Sequence, residues 1–184
     1  PEAISSAVCQ FPSLEAAVET VILTIQSGVP VARIELLDDV QMGACIDYSK
    51  LEGYERQPTL FFEFHGSETG VGEQAETVRA IADEFGGAAF QWASKAEDRN
   101  RLWQARHDAY YAALSLKPGS KGWASDVCVP ISRLAECILE TKKELDEMGL
   151  LAPLVGHVGD GNFHLSYLVD RDDSVELAKT KEHN

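Results

Sequence analysis

Apolar positions along the chain recur every second residue in some stretches and every third or fourth in others, which predicts short strands alternating with amphipathic helices. Residues 5–11 (SSAVCQF) alternate weakly and predict a first strand. Ser13 then stands as a helix N-cap ahead of an apolar stripe, Leu14, Val18, Val21, Ile22 and Ile25, that Gly28 ends. Residues 31–37 (VARIELL) predict a second strand, and 38–51 a short helix carrying Val40, Met42, Ala44 and Cys45. The most strand-like run is Thr59 to His65 (TLFFEFH), rich in aromatic and branched residues. A helix over Glu73 to Phe85, stopped by Gly86-Gly87, and a strand over Ala88 to Ala93 complete a β-α-β-(α)-β-α-β order. That order predicts a split βαβ, ferredoxin-like unit.

The second half predicts one long helix over 96–116, halted by Lys117-Pro118-Gly119, then a strand over 122–129 (GWASDVCV). Pro130-Ile131-Ser132 leads a helix through Met148 that ends at Gly149, and a last helix is expected over 172–182. The expected class is α+β: ferredoxin-like split βαβ units forming an antiparallel sheet, with helices packed mainly on one face. One long sheet built from two related halves fits the pattern.

Between those last helices lies GHVGDGNFHL, Gly156 to Leu165, which holds two of the five histidines. Their spacing is close to two helical turns, but Gly159 and Gly161 would each cost about 1 kcal/mol in a helix interior. Asp160-Gly161 between alternating residues predicts a hairpin instead. A two-residue turn there makes His157 the direct partner of His164, with both imidazoles on one face of the sheet. Two readings stay open: a pair of hydrogen-bonded structural histidines beside a tight turn, or two ligands of a divalent ion that needs a third from elsewhere. Asp160 and Asn162 are expected to support the turn itself. A phosphate-cradling loop is excluded, because such a loop opens a helix, whereas the residues after Asn162 alternate like a strand.

In the helix NRLWQARHDAYYAALS, Arg106 falls on the stripe Leu102, Ala109 and Ala113 and interrupts an apolar face. Either its stem snorkels while its head stays wet, or its guanidinium is aimed at a carboxylate. Trp103 and Tyr110 are then candidate walls for a small ligand, with Lys117 and Lys121 as further basic candidates nearby. His65 and His107 have no evident partner. An arginine for a carboxylate and a histidine pair for an ion together suit a small 2-hydroxy or 2-oxo acid. Nothing in the chain has the dinucleotide-binding glycine fingerprint.

The length of 184 residues suits one core, or two small subdomains sharing one. A formal net charge of −14 argues against nucleic-acid or anionic-membrane partners, and no segment approaches the roughly 18 apolar residues of a membrane span. Cys9, Cys45, Cys128 and Cys137 show no Cys-x-x-Cys spacing and read as thiols of a reducing compartment. The start at Pro1 and an end within a helical pattern lead us to expect a piece of a longer polypeptide.

Across its whole length, through GHVGDGNFH, the upstream LWQARHDAYYA and the intervening SDVCVP, the chain resembles the carboxy-terminal substrate (cap) domain of the FAD-linked oxidases, the vanillyl-alcohol-oxidase-like flavoproteins. The wording FFEFHGSE and DVCVPISRL is most similar to the mitochondrial, cytochrome-linked D-lactate dehydrogenases of that group. The resemblance implies that His157 and His164 bind a catalytic zinc or manganese ion and that Arg106 grips the substrate carboxylate. It implies hydride transfer from C2 of the substrate to FAD, held mainly by a domain outside this chain, and onward electron transfer to an acceptor such as cytochrome c. The family's third ligand, a glutamate, and its histidine base come from a Glu-His-Gly segment. Here Glu182-His183 is followed by Asn184 and lies too near the hairpin, so those roles are not carried over and no catalytic residue is identified. By itself the chain is expected to be inactive. The alternative is a non-catalytic ferredoxin-like module that binds a small carboxylate and regulates an attached enzyme, which would need Arg106 but not the histidines.

Overall fold

A computed structural model of the chain describes residues 2–184. Its first part runs β1 (Ala3–Gln10), α1 (Leu14–Gln26), β2 (Arg33–Leu37), α2 (Asp39–Ser49), β3 (Thr59–Gly66), α3 (Glu68–Glu84) and β4 (Ala88–Ala93). Two helices, α4 (Ala96–Leu102) and α5 (Gln104–Ser115), lead to β5 (Lys121–Ala124), β6 (Val127–Cys128), α6 (Leu134–Met148), β7 (Leu154–His157), β8 (Asn162–Val169) and α7 (Ser174–His183). All pairings are antiparallel in an eight-stranded sheet of order β4-β1-β3-β2-β7-β8-β5, with β6 also on β8. The first four strands have the ferredoxin-like order expected, with α2 inserted between β2 and β3. The run β5/β6, α6, β7, β8, α7 repeats the order of β1, α1, β2, β3, α3. The two related halves meet edge to edge where Leu36 pairs with Gly156 and Leu37 with Val155.

Period-two alternation sorts the strand residues between two apolar layers. Ala7, Cys9, Ile34, Leu36, Leu60, Phe62, Phe64, Phe163, Leu165 and Tyr167 face α1, α3 and α6, with Leu177 of α7 packed at the margin. That is the main helical layer, as expected. Val8, Leu37 and Phe61 face the other way, under Met42 and Cys45 of α2 and Trp103, Ala105 and Ala109 at α5, a smaller second layer that the pattern did not separate. It covers only part of that face, and the remainder holds polar side chains.

Several boundaries differ from expectation for local reasons. Helix α3 starts at Glu68, ahead of Gly70 and Gly72, because the Ser67 hydroxyl accepts from the Gly70 N–H and caps the first turn. The helix expected over 96–116 is two, interrupted at Trp103, whose ring is buried against Phe61 and whose Nε1 donates to the Ser6 hydroxyl. The strand expected over 122–129 breaks at Ser125-Asp126, because buried Ser125 turns its hydroxyl inward to accept from the Leu165 N–H.

The hairpin differs most usefully. Val158–Asp160 form a single 3-10 turn closed by Gly161, so His157 pairs with Asn162 and His164 with Val155. The register is two residues away from the expected one, and an even shift keeps every side chain on its face. Gly161 has φ +75°, and a Cβ there would lie 2.2 Å from the Val129 carbonyl oxygen. Gly161→Ala is therefore expected to lose at least about 2 kcal/mol of stability, measured by urea unfolding.

All four cysteines are free thiols. Burial pushes Cys9 up to about 12 and Cys45 up to about 11. Exposed Cys128 should therefore alkylate first at pH 8, with Cys9 and Cys45 protected until urea is added, as read by peptide mass mapping.

Candidate functional site

On the partly covered face, β2, β7 and β8 bring together Glu35, His157, Asn162 and His164, and α5 lays Arg106 beside them. The position of α5 is set by α2: the Gln41 side chain donates to the Ala109 carbonyl and Cys45 Sγ to the Ala105 carbonyl. Helix α2 is itself fixed at its start, where the Asp38 carboxylate caps Gln41 N–H and pairs with Lys142 Nζ at 2.7 Å. Burial pushes the Asp38 carboxyl above its ordinary range, and Lys142 opposes that shift.

Although not direct cross-strand partners, His157 and His164 are diagonal neighbours with ring centres 5.4 Å apart and planes at 83°. Two imidazoles sharing one tetrahedral ion through nitrogens about 2.0–2.1 Å from it have ring centres roughly 5.3 Å apart, so the spacing fits. The other ring nitrogens are already engaged. His157 Nδ1 lies 2.8 Å from Glu35 Oε1, and His164 Nδ1 3.0 Å from the Ser125 carbonyl oxygen. A carbonyl or carboxylate oxygen only accepts, so each Nδ1 carries a proton, and in the neutral tautomer this selects the lone pair lies on Nε2. Fixing Nδ1–H on an acceptor is how proteins orient imidazoles that bind through Nε2. The chain supplies two such donors: among the described residues no group of three or more His, Cys, Asp or Glu is arranged to hold an ion.

Arg106 neither snorkels freely nor stands alone. Its Nε donates to Glu35 Oε2 at 3.0 Å, with the Arg106 side chain 23% exposed and that of Glu35 2% exposed. Glu35 thus joins Arg106 to His157, a link that the sequence pattern alone did not predict. Its signal was present in Arg33-Ile34-Glu35-Leu36-Leu37, a carboxylate within an apolar strand that must be paired if buried. Ser125 was missed too, and nothing in its sequence context marked it. Asn162, expected to support the turn, instead donates to Asp126 Oδ1 and the Val127 carbonyl, tying β8 to the β5–β6 break. Asp160 remains on the turn, exposed.

The other candidates fall outside this cluster. Trp103 is buried beneath the Arg33 guanidinium, 3.9 Å from its ring centre, while Tyr110 is exposed beside Tyr111. Lys117 is engaged by Glu176 and the Leu168 carbonyl, which commits it to docking α7, and Lys121 lies exposed on β5. His65 pairs with Glu63, and His107 lies exposed beside Trp103. At the chain's end, His183 bonds the Tyr167 hydroxyl on the opposite side of the sheet. A recess of about 260 Å³, lined by Arg33, Glu35, His157, Gly159 and Asp160 among others, reaches His157 but not His164.

The whole chain, residues 1–184, matches the model of the family described as FAD linked oxidases, C-terminal domain. The chain belongs to that family. It is 49% identical over 179 residues to a zebrafish (Danio rerio) protein named "Probable D-lactate dehydrogenase, mitochondrial", covering 97% of this chain and 36% of the relative. It is 42% identical over 164 residues to the Arabidopsis thaliana "D-lactate dehydrogenase [cytochrome], mitochondrial", covering 89% of this chain and 29% of the relative. The chain thus spans about a third of the length of the curated relatives it matches. The fold is shared with 4-ethylphenol oxidase from Gulosibacter chungangensis, with a TM-score of 0.69 at 16% identity over 100% of this chain and 42% of that one.

Among the described residues Glu35 has two partners to offset its burial, so Arg106→Met should destabilise the fold by about 2–3 kcal/mol, below the full cost of a buried unpaired charge because the site is partly open. Urea unfolding of the variant checks the value, and loss of less than about 0.5 kcal/mol would show that the pair is solvent-like.

Proposed function

We propose that this chain is the substrate-side domain of an FAD-dependent D-2-hydroxyacid dehydrogenase that oxidises D-lactate to pyruvate in the mitochondrion. The reading is carried by one observation: two neighbouring imidazoles, each with Nδ1 tied to an acceptor, share a sheet face with an arginine whose Nε is also tied down. Likeness to relatives named mitochondrial D-lactate dehydrogenases supports the choice of D-lactate and of the compartment. The "[cytochrome]" in the Arabidopsis name supports cytochrome c or a similar carrier as final electron acceptor.

In this reading Arg106 binds the substrate carboxylate through its terminal nitrogens, since Nε is spent on Glu35. That bond fixes the plane of the guanidinium and so the approach of the acid. His157 and His164 present Nε2 as two ligands of a zinc or manganese ion, with the remaining ligands from other parts of the parent polypeptide or from water. When bound, the ion would supply Lewis acidity to the substrate hydroxyl and FAD, on a separate domain of the same polypeptide, would supply the acceptor for two electrons. In the overall change C2 loses its hydrogen with the bonding pair, the hydroxyl loses its proton, and the C2–O bond becomes a carbonyl. No residue of this chain is assigned to receive that proton. The domain by itself is therefore expected to lack turnover. A regulatory carboxylate-binding module would have no use for paired imidazoles with matched hydrogen bonding.

Steady-state kinetics of the full-length protein on a panel of D-2-hydroxy acids, with and without a chelator, test the proposal. D-Lactate should be preferred and chelation should abolish turnover reversibly. His157→Ala or His164→Ala should each lower kcat/KM at least about 100-fold, and Arg106→Lys should raise KM for the acid about tenfold. Wild-type kinetics in all three variants would exclude this site.

A further inference from the structure

Glu35 is the one carboxylate that touches both halves of the cluster. It sits mid-strand on β2 between Ile34 and Leu36, whose side chains enter the main core, so its own side chain is directed to the opposite face. Continuing the register of Leu36 with Gly156 brings Glu35 directly opposite His157 across the junction of the two halves. Each of its oxygens has a different partner: Oε1 meets His157 Nδ1 at 2.8 Å and Oε2 meets Arg106 Nε at 3.0 Å.

The manner of pairing leaves part of each group open. Arginine–carboxylate pairs are frequently bidentate, with two parallel donors on the two oxygens. Here the single Nε donor is used, and among the described residues no protein group is hydrogen-bonded to either terminal guanidinium nitrogen or to His157 Nε2. The buried carboxylate therefore holds the inner edge of each group and turns the outer edge of each toward the open side. It also places negative charge behind both, which favours the cationic guanidinium and enriches the imidazole as a ligand.

We propose that Glu35 is a positioning residue that couples the carboxylate grip of Arg106 to the ion grip of His157, so that a single side chain sets where the substrate's carboxylate lies relative to the ion. This rests on the site proposed above. The coupling is local: β2 and β7 are hydrogen-bonded neighbours, and α5 is pinned to the sheet through α2.

The test compares wild-type full-length protein with Glu35→Gln, which preserves size but supplies an acceptor to only one partner at a time. Zinc and manganese affinities are read by competition with a chromogenic chelator, and KM for D-lactate is read at saturating metal, with FAD content checking integrity. The expected result is a 10–100-fold loss of metal affinity together with a roughly tenfold rise in KM. Wild-type values for either quantity overturn the coupling. His157→Ala and Arg106→Lys serve as controls: if these leave metal affinity and KM unmoved, the site reading itself fails, whereas if they move them and Glu35→Gln does not, only the role of Glu35 fails. Should Glu35→Gln not fold, nitrogen-15 histidine spectra of the metal-free wild type at pH 8 decide. His157 protonated on Nδ1, with a strongly downfield ring proton, supports the bond to Glu35; protonation on Nε2 overturns it.

Discussion

The antiparallel contact between β2 and β7 is the constraint on which the rest of the molecule depends. Only Leu36 with Gly156 and Leu37 with Val155 are paired there, yet the contact fuses two related sheets into one. It buries edges that would otherwise present unpaired N–H and C=O groups. Gly156 is required at this seam, since a Cβ would come 2.8 Å from Val158 Cγ1 and 3.2 Å from the Asn162 carbonyl oxygen. The seam also sets Glu35 of the first half against His157 of the second. The polar cluster is thus a property of the joint and would not exist in either half separately.

Around that joint, the two faces of the sheet have different work. One is closed by α1, α3 and α6 over a continuous apolar layer, which supplies most of the burial. The other is closed only in part by α2, α4 and α5, leaving room for charged groups whose desolvation must be offset by mutual pairing. Glu35 with Arg106 and His157 meets that requirement there, while buried Asp38 at the start of α2 pairs with Lys142 of α6 from the opposite layer. These ion pairs tie α5 to β2 and the start of α2 to α6.

Much of this was legible in the sequence because period-two alternation reports the face of a residue directly. His157 and His164 were expected on one face, and they are, although their cross-strand partners are Asn162 and Val155. The turn geometry that chose this register depends on the Val129 carbonyl packed against Gly161, a tertiary contact that no local pattern reveals. Arg106 was recognisable as a charge on an apolar stripe, but its partner lies 71 residues away on β2. The breaks at Trp103 and Ser125 were hidden for the same reason: each arises from a side chain bonding to a distant strand, Ser6 in one case and Leu165 in the other. Helix α3 begins ahead of the expected Glu73, because the cap at Ser67 carries the helix through Gly70 and Gly72.

The central claim is that imidazoles 157 and 164 face one point with their Nε2 atoms. Anomalous diffraction from crystals of the full-length protein, recorded at the zinc or manganese edge, tests it most directly. The account predicts one strong peak about 2.0–2.3 Å from Nε2 of both residues, with Nδ1 of His157 still on Glu35. A peak bound through Nδ1, or held by only one of the two rings, or lying elsewhere while both rings stay free, would contradict it.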